Sequence, residues 1–345
     1  IMAYTTINKS TDHFNTKLYA GNGSTQSISG VGFQPDWVWI KDRDNSSRWH
    51  QLFDAVRGAG KVLYSNDGAQ QGDDNTRLSG FASDGFSLGN SANVNNNGNN
   101  YAAWNWKGNG AGSSNSDGDI TSTVSANTTS GFSIVKWTSN GSNNDTVGHG
   151  LGVAPKIVLY KRLDGTNSWT WTYKYVDDTL DYLILDGNNA KADLTLGTYG
   201  FTTSTTISNL GFGNTNEMIA YCFAEKVGYS KFSSYIGNGY ANGTFCFTGF
   251  KPAWVMTKRT DSTSSWIIRD NKRDAFNPSQ TSLYANAATA DDTSGGASYY
   301  IDFLSNGFKF TGNGTGFNAS GGTYIFMAFA EEPLVGTNNV PATAR

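Results

Sequence analysis

The stretch Gly32-Phe33-Gln34-Pro35-Asp36-Trp37-Val38-Trp39-Ile40-Lys41 returns twice, in altered form, further along the chain. The second version reads Gly152-Val153-Ala154-Pro155-Lys156-Ile157-Val158-Leu159-Tyr160-Lys161, and the third Gly249-Phe250-Lys251-Pro252-Ala253-Trp254-Val255-Met256-Thr257-Lys258. Three of only six prolines fill the same slot, each six residues ahead of a lysine. Eight residues after each lysine stands a tryptophan: Trp49, Trp169 and Trp266. Upstream of the prolines lie Tyr19-Ala20-Gly21-Asn22-Gly23, Trp137-Thr138-Ser139-Asn140-Gly141 and Tyr235-Ile236-Gly237-Asn238-Gly239. Downstream, a glycine-phenylalanine pair recurs at Gly85-Phe86, Gly200-Phe201 and Gly307-Phe308, followed by a final apolar run. Agreement at this many markers is a threefold internal repeat.

The markers divide the chain into an amino-terminal arm (1–13), repeat one (14–107), a linker rich in Gly, Ser and Asn (108–131), repeat two (132–225), repeat three (229–332) and a carboxy-terminal tail (333–345). Units of this length exceed the usual solenoid repeat and can own a core, so tandem domains are expected. Eight Asn-Gly and five Asp-Gly dipeptides punctuate the chain. These favour type I′ hairpin turns, which need positive φ at both central residues. Between them run short segments rich in Val, Ile, Thr and aromatics, with one helical turn at most, at Leu52 to Gly58. Runs such as Trp37-Val38-Trp39-Ile40 lack alternation and suit strands covered on both faces. The expected fold is all-β: three tandem β-sandwich or jelly-roll-like domains.

Composition excludes several classes. With 25 Lys plus Arg against 28 Asp plus Glu, the net charge is −3, which disfavours nucleic-acid binding. Aromatics at 14% argue against disorder. No apolar run is long enough to span a membrane as a helix, and the first residues lack a signal-peptide pattern. Cys222 and Cys246, the two cysteines, are read as reduced, packed thiols.

Catalytic chemistry needs convergent groups, and the sequence offers few. His13, His50 and His149 show no metal-ligand spacing. Asp73-Asp74 and Asp291-Asp292 fall at similar places in repeats one and three. A carboxylate pair suits calcium or acid–base chemistry on a sugar, but solvated loop charge is the plainer reading. Lys41, Lys161 and Lys258 read as strand-end charges with their stems along a sheet edge. Repetition makes Trp49, Trp169 and Trp266 core residues rather than sugar platforms. Loops are the better place for binding: Asn90 to Asn100, Asn209 to Asn216 and Gly312 to Gly322 precede the final strands, the first with seven asparagines in eleven residues. No catalytic residue, metal ligand or cofactor is assigned, and the ligand contacts are left unassigned.

With the repeat in hand, the chain resembles a family of tandem domains in bacteriophage virion proteins, especially tail-fibre and adsorption proteins of marine and cyanobacterial phages. The resemblance rests on Ser139-Asn140-Gly141, on His149-Gly150-Leu151-Gly152-Val153-Ala154-Pro155-Lys156 and on Trp169. It is reinforced by Tyr101-Ala102-Ala103-Trp104-Asn105-Trp106-Lys107 and by Gly118-Asp119-Ile120-Thr121-Ser122-Thr123-Val124-Ser125-Ala126-Asn127. It implies a non-enzymatic virion structural protein, a tail-fibre or adsorption component presenting loops to a host surface glycan. The implied partners are other virion proteins and that glycan, with no nucleic acid and no membrane insertion. A homo-oligomer is expected, a trimer by the symmetry of fibres. The expected location is the virion, after synthesis in the host cytoplasm. The short arm and the lack of a shaft pattern keep a capsid or tail decoration protein as the alternative. A polysaccharide-degrading enzyme stands behind it.

Overall fold

The computed structural model describes residues 5–174, 176–194, 202–210, 213–335 and 342–343. Among these, regular structure is nearly all strand; the helical pieces are single turns at Ser10–Asp12, Ala92–Asn95, Gly296–Tyr299 and Thr315–Asn318. The chain is all-β, built from several antiparallel sheets.

Each repeat contributes a main sheet with one shared strand order. In repeat one, Phe14–Ala20, Asn100–Trp106, Trp37–Asp42 and Gln51–Asp54 lie side by side in that order. In repeat three the corresponding strands are Ser230–Ile236, Thr323–Pro333, Phe250–Arg259 and Ile267–Asp270. In repeat two they are Phe132–Asn140, Asn214–Phe223, Ile157–Arg162 and Thr170–Tyr173. The last strand of every repeat is therefore threaded between its first strand and its proline-preceded strand. Smaller sheets lie alongside: Gln26–Ser29 with Gly85–Leu88 and Leu78–Ala82, Thr146–Gly148 with Thr206–Ser208, and Phe245–Phe247 with Gly307–Phe310 and Ile301–Leu304. Pro252 lies inside its strand, where the ladder is interrupted by a register shift that tolerates the missing N–H.

Strand periodicity explains the tryptophan runs. Trp37–Asp42 is buried at every position, because successive side chains face opposite cores. Val38 and Ile40 join a cluster within repeat one, with Phe86 and Leu88 from its smaller sheet. Trp37 and Trp39 point the other way, into the largest cluster, which draws on all three repeats. There Trp37 lies 4.5 Å from Trp106 and 4.6 Å from Tyr221 between ring centroids, and Phe14 lies 5.1 Å from Phe329. The main sheets thus face one another across a common aromatic core.

The array closes on itself. The Gln71 N–H donates to Leu163 O, Lys191 N–H to Thr260 O and Asp291 N–H to Arg43 O, each at 2.8 Å. These bonds join repeat one to two, two to three, and three back to one, at equivalent positions. Three equivalent joints around one core define an approximate threefold axis within a single chain.

Two local expectations are corrected, and the packing of the arm is added. The linker 108–131 carries the strands Ser113–Asn115 and Ser122–Asn127, which extend the main sheet of repeat two, because alternating residues such as Val124 find a buried face there. Leu52 to Gly58 begins as the end of a strand, Gln51–Asp54, and not as a helical turn. Residues 5–13 of the arm pack down, with Ile7 in the central cluster and Thr5 Oγ1 donating to Val227 O at 2.7 Å. The marker Gly200-Phe201 lies outside the described residues, as does most of the tail.

Candidate functional site

The conspicuous cations of the repeat are structural pins. Lys41, Lys161 and Lys258 occupy one register position and are each 0% exposed. Lys161 Nζ donates to Gly68 O at 2.9 Å and Asn167 O at 2.7 Å. Lys258 Nζ donates to Arg259 O at 2.5 Å and Asn188 O at 3.4 Å. Lys41 Nζ donates to Asp42 O at 2.6 Å. Gly68 and Asn188 belong to the preceding repeat, so two of the lysines reach across a joint. Burial pushes each ammonium down to about 8. The edge-charge expectation fails because the neighbouring repeat covers that strand end.

The tryptophan marker splits. Trp169 and Trp266 are buried, while Trp49 is 40% exposed. The strand registers align His50 with Trp169 and Trp266, because the loop after Lys41 is one residue longer. Trp169 Nε1 donates to Tyr64 O at 2.7 Å, and Trp266 Nε1 to Ile184 O at 2.9 Å. His50 Nε2 stands 3.0 Å from Tyr284 O, completing the same cycle. Trp39 Nε1 donates to His50 Nδ1 at 2.8 Å, so the network assigns the proton to Nε2 and keeps the ring neutral. Burial holds its pKa well below the ordinary histidine range.

The aspartate pairs separate as well. The ladders align Asp73 with Asp193, and Asp291 with Gln71, two residues away from the correspondence expected of Asp73-Asp74. Asp73 pairs with Lys61, and Asp74 with Arg77 at 2.8 Å. Asp291 bridges Arg43 at 2.8 Å and Arg273 at 3.0 Å, while Asp292 accepts from the Tyr284 hydroxyl at 2.6 Å. The histidines lie apart; His149 is buried and stands 3.3 Å from Thr203 O. Among the described residues no group of three or more His, Cys, Asp or Glu is placed to hold a metal ion. Cys222 and Cys246 are buried and not joined in a disulfide.

The asparagine-rich loops are anchored from within. Asn95, Asn209 and Asn318 are each 0% exposed. Asn318 accepts from the Asn238 N–H at 2.9 Å and donates to Asn238 Oδ1, Tyr240 O and Gly312 O. Asn95 repeats this with Asn22 and Gly89, and Asn209 with Asn140 and Ser142. One asparagine per loop thus ties it to an Asn-Gly turn, leaving the remaining loop surface on a rigid base. These loops fall at the same end of each main sheet.

Sequence reasoning passed over the Asp-x-x-Arg spacing at 54–57 and 270–273. Arg57 pairs with Asp54, which also accepts from the Tyr221 hydroxyl of repeat two at 2.7 Å. Arg273 pairs with Asp270 at 2.6 Å, which accepts from Trp104 Nε1 of repeat one at 3.2 Å. In repeat two the same places hold Tyr173 and Val176, and the facing position is Met327. Acid, arginine and donor are present together or replaced together. Where repeats one and two meet, a cleft of about 520 Å³ opens over Arg57, lined also by Lys61, Gln71, Lys136, Asp164 and Glu217. Its walls carry both hydrogen-bond donors and acceptors.

No curated protein and no solved structure matches the chain. One family model matches residues 9–333, covering all three repeats and their joints. The chain therefore belongs to the family described as Domain of unknown function (DUF7483).

Proposed function

We propose that this chain is a non-enzymatic virion structural protein of a bacteriophage adsorption apparatus, a tail-fibre or related attachment component, presenting loops to a host surface glycan. In this reading, residues 14–107, 132–225 and 229–332 are three β-sandwich modules fused around the shared core. The observation that carries it is the closed ring, which repeats around one core the loops anchored by Asn95, Asn209 and Asn318. Several modest contacts made together raise avidity through effective concentration. The family resemblance of the repeat motifs supplies the phage assignment. The test is saturable labelling of host cells by the purified chain, with immunogold placing the protein on the distal tail. Equal labelling of cells stripped of surface glycan overturns the receptor assignment.

One feature favours a decoration protein instead. Phe245 and Phe247 of repeat three are 43% and 55% exposed, where repeat one has Ser27 and Ser29 at the same register. An apolar edge strand of this kind suits docking on another virion protein. Gold spread over the head would establish that reading.

A further inference from the structure

The joints between repeats are equivalent in backbone and different in filling. At the joint of repeats three and one, Asp291 lies between Arg273 and Arg43 and accepts from both, at 3.0 and 2.8 Å. The joint of repeats one and two holds Gln71 at the place of Asp291 and Leu163 at the place of Arg43, as the shared backbone bonds establish. Arg57 keeps the orientation of Arg273. Its Nε pairs with the aspartate three residues earlier, and Nη2 donates to Leu52 O at 3.2 Å as Arg273 Nη2 does to Ile268 O at 3.1 Å. Its Nη1, which in Arg273 meets a carboxylate, has only Gln71 Oε1 at 3.4 Å. The joint of repeats two and three has Val176 at this place, so repeats one and two alone combine the arginine with an open space.

That space is about 520 Å³, within the ordinary range for small-molecule sites and large enough for a short saccharide. Its walls present donors from Arg57, Lys61, Gln71 and Lys136, and acceptors from Asp164 and Glu217. The charges cancel locally: Lys136 lies 2.9 Å from Glu217, Arg162 lies 2.7 Å from Asp164, and Lys61 pairs with Asp73. A charged ligand would meet no unpaired counter-charge among these groups. A neutral polyol, whose hydroxyls both give and accept hydrogen bonds, can use both kinds of group. We propose that the cleft between repeats one and two is a binding site for a neutral, hydroxyl-rich saccharide of one or two sugar units, in the space that Asp291 and Arg43 fill at the neighbouring joint. The site rests on the glycan reading above and gives it a place and a ligand class.

The experiment uses the whole chain and a panel of neutral disaccharides (lactose, maltose, cellobiose and mannobiose), with digalacturonate and an oligoglutamate peptide as charged probes. Binding is read by saturation-transfer NMR and titration. The double variant Gln71→Asp/Leu163→Arg copies the filled joint; because Leu163 is buried in the central cluster, its folding is checked by melting temperature before binding is compared. Saturable binding of at least one neutral disaccharide is expected, at an affinity of about 1 mM or better, together with about tenfold or greater weakening in the double variant. Binding of no neutral disaccharide overturns the proposal, as does tighter binding of either charged probe. Equal binding by a folded double variant places the sugar elsewhere and also overturns it. If the variant fails to fold, Lys136→Ala on the rim provides the same comparison. Host cells labelled without disaccharide binding would remove this site alone; absence of both would remove the glycan reading with it.

Discussion

A lysine sealed from water beside backbone carbonyls holds its proton less firmly than one in solution. For Lys161 the folded value is about 8, below the ordinary lysine value of about 10.4. Between those two pH values the unfolded chain binds more protons, so this residue's contribution to stability rises with pH there. Below the folded value both states carry the proton, and the contribution is at its least favourable. Thermal unfolding of the native chain and of Lys161→Met should therefore differ in slope from about pH 8 to about pH 10, the native chain gaining on the variant. Parallel curves would mean that the carbonyls of Gly68 and Asn167 keep the ammonium charged throughout. Asn318 is a neutral counterpart. Its amide makes four hydrogen bonds to the Asn238 turn and its surroundings, and Asn318→Ala strands several buried partners at once. A loss of about 3 kcal/mol is expected in urea unfolding. A loss under about 1 kcal/mol would show that water replaces the amide.

At the scale of single elements, the strands are set by local chemistry and their burial by what they meet. The segment 108–131 shows the difference. Its Gly, Ser and Asn content marks a linker, yet Thr123 to Asn127 pair residue by residue with Lys136 to Phe132, and Ser122 pairs with Asn115. A broad-specificity protease acting on the folded chain should leave residues 122–127 intact, and mass mapping of the fragments checks this. Early cleavage there would return the segment to a free linker. The strand that begins after Trp266 depends on a partner from another repeat. Trp266→Phe keeps one six-membered aromatic ring but removes the pyrrole half of a buried indole and its N–H to Ile184 O, at an expected cost of about 2–4 kcal/mol from the lost bond and the cavity together. The Asn-Gly and Asp-Gly dipeptides do mark strand ends and loops, but not as type I′ turns: among the described residues none of their Asn or Asp members has a positive φ, because the turn type is set by the loop around it as well as by the dipeptide. The one-residue difference in the loop before His50 was not readable, since Trp49 stands at the spacing of the buried tryptophans and only the strand register reveals the shift.

The whole molecule should unfold as one unit. The central cluster takes Trp37 and Trp106 from repeat one, Tyr221 and Phe223 from repeat two, and Trp254 and Phe329 from repeat three. No repeat can leave without exposing aromatic surface on the other two, and cyclic hydrogen bonds reinforce each joint. Calorimetry should give a single transition with equal calorimetric and van't Hoff enthalpies. The excised segment 229–333 should not show a cooperative transition of its own. A sharp melt of that fragment would mean that each repeat is self-sufficient and the shared core adds little. The candidate cleft also belongs to this scale, because Arg57 and Lys61 come from one repeat and Lys136, Asp164 and Glu217 from the next.

The sequence by itself determined the threefold repetition, the positions of most turns and the all-β character. Each of these is carried by residues close together in the chain: a proline before a strand, an Asn-Gly turn, a run of β-branched and aromatic side chains. Only the tertiary structure decided that the array closes, that Lys41, Lys161 and Lys258 are buried, that His50 takes the tryptophan's place, and that one joint is filled while another is open. Those outcomes depend on side chains about a hundred residues apart meeting at the joints. Equivalent strands carry nearly the same local pattern whether their ends face water or the next repeat. Local pattern sets backbone conformation, and long-range packing sets what each side chain touches.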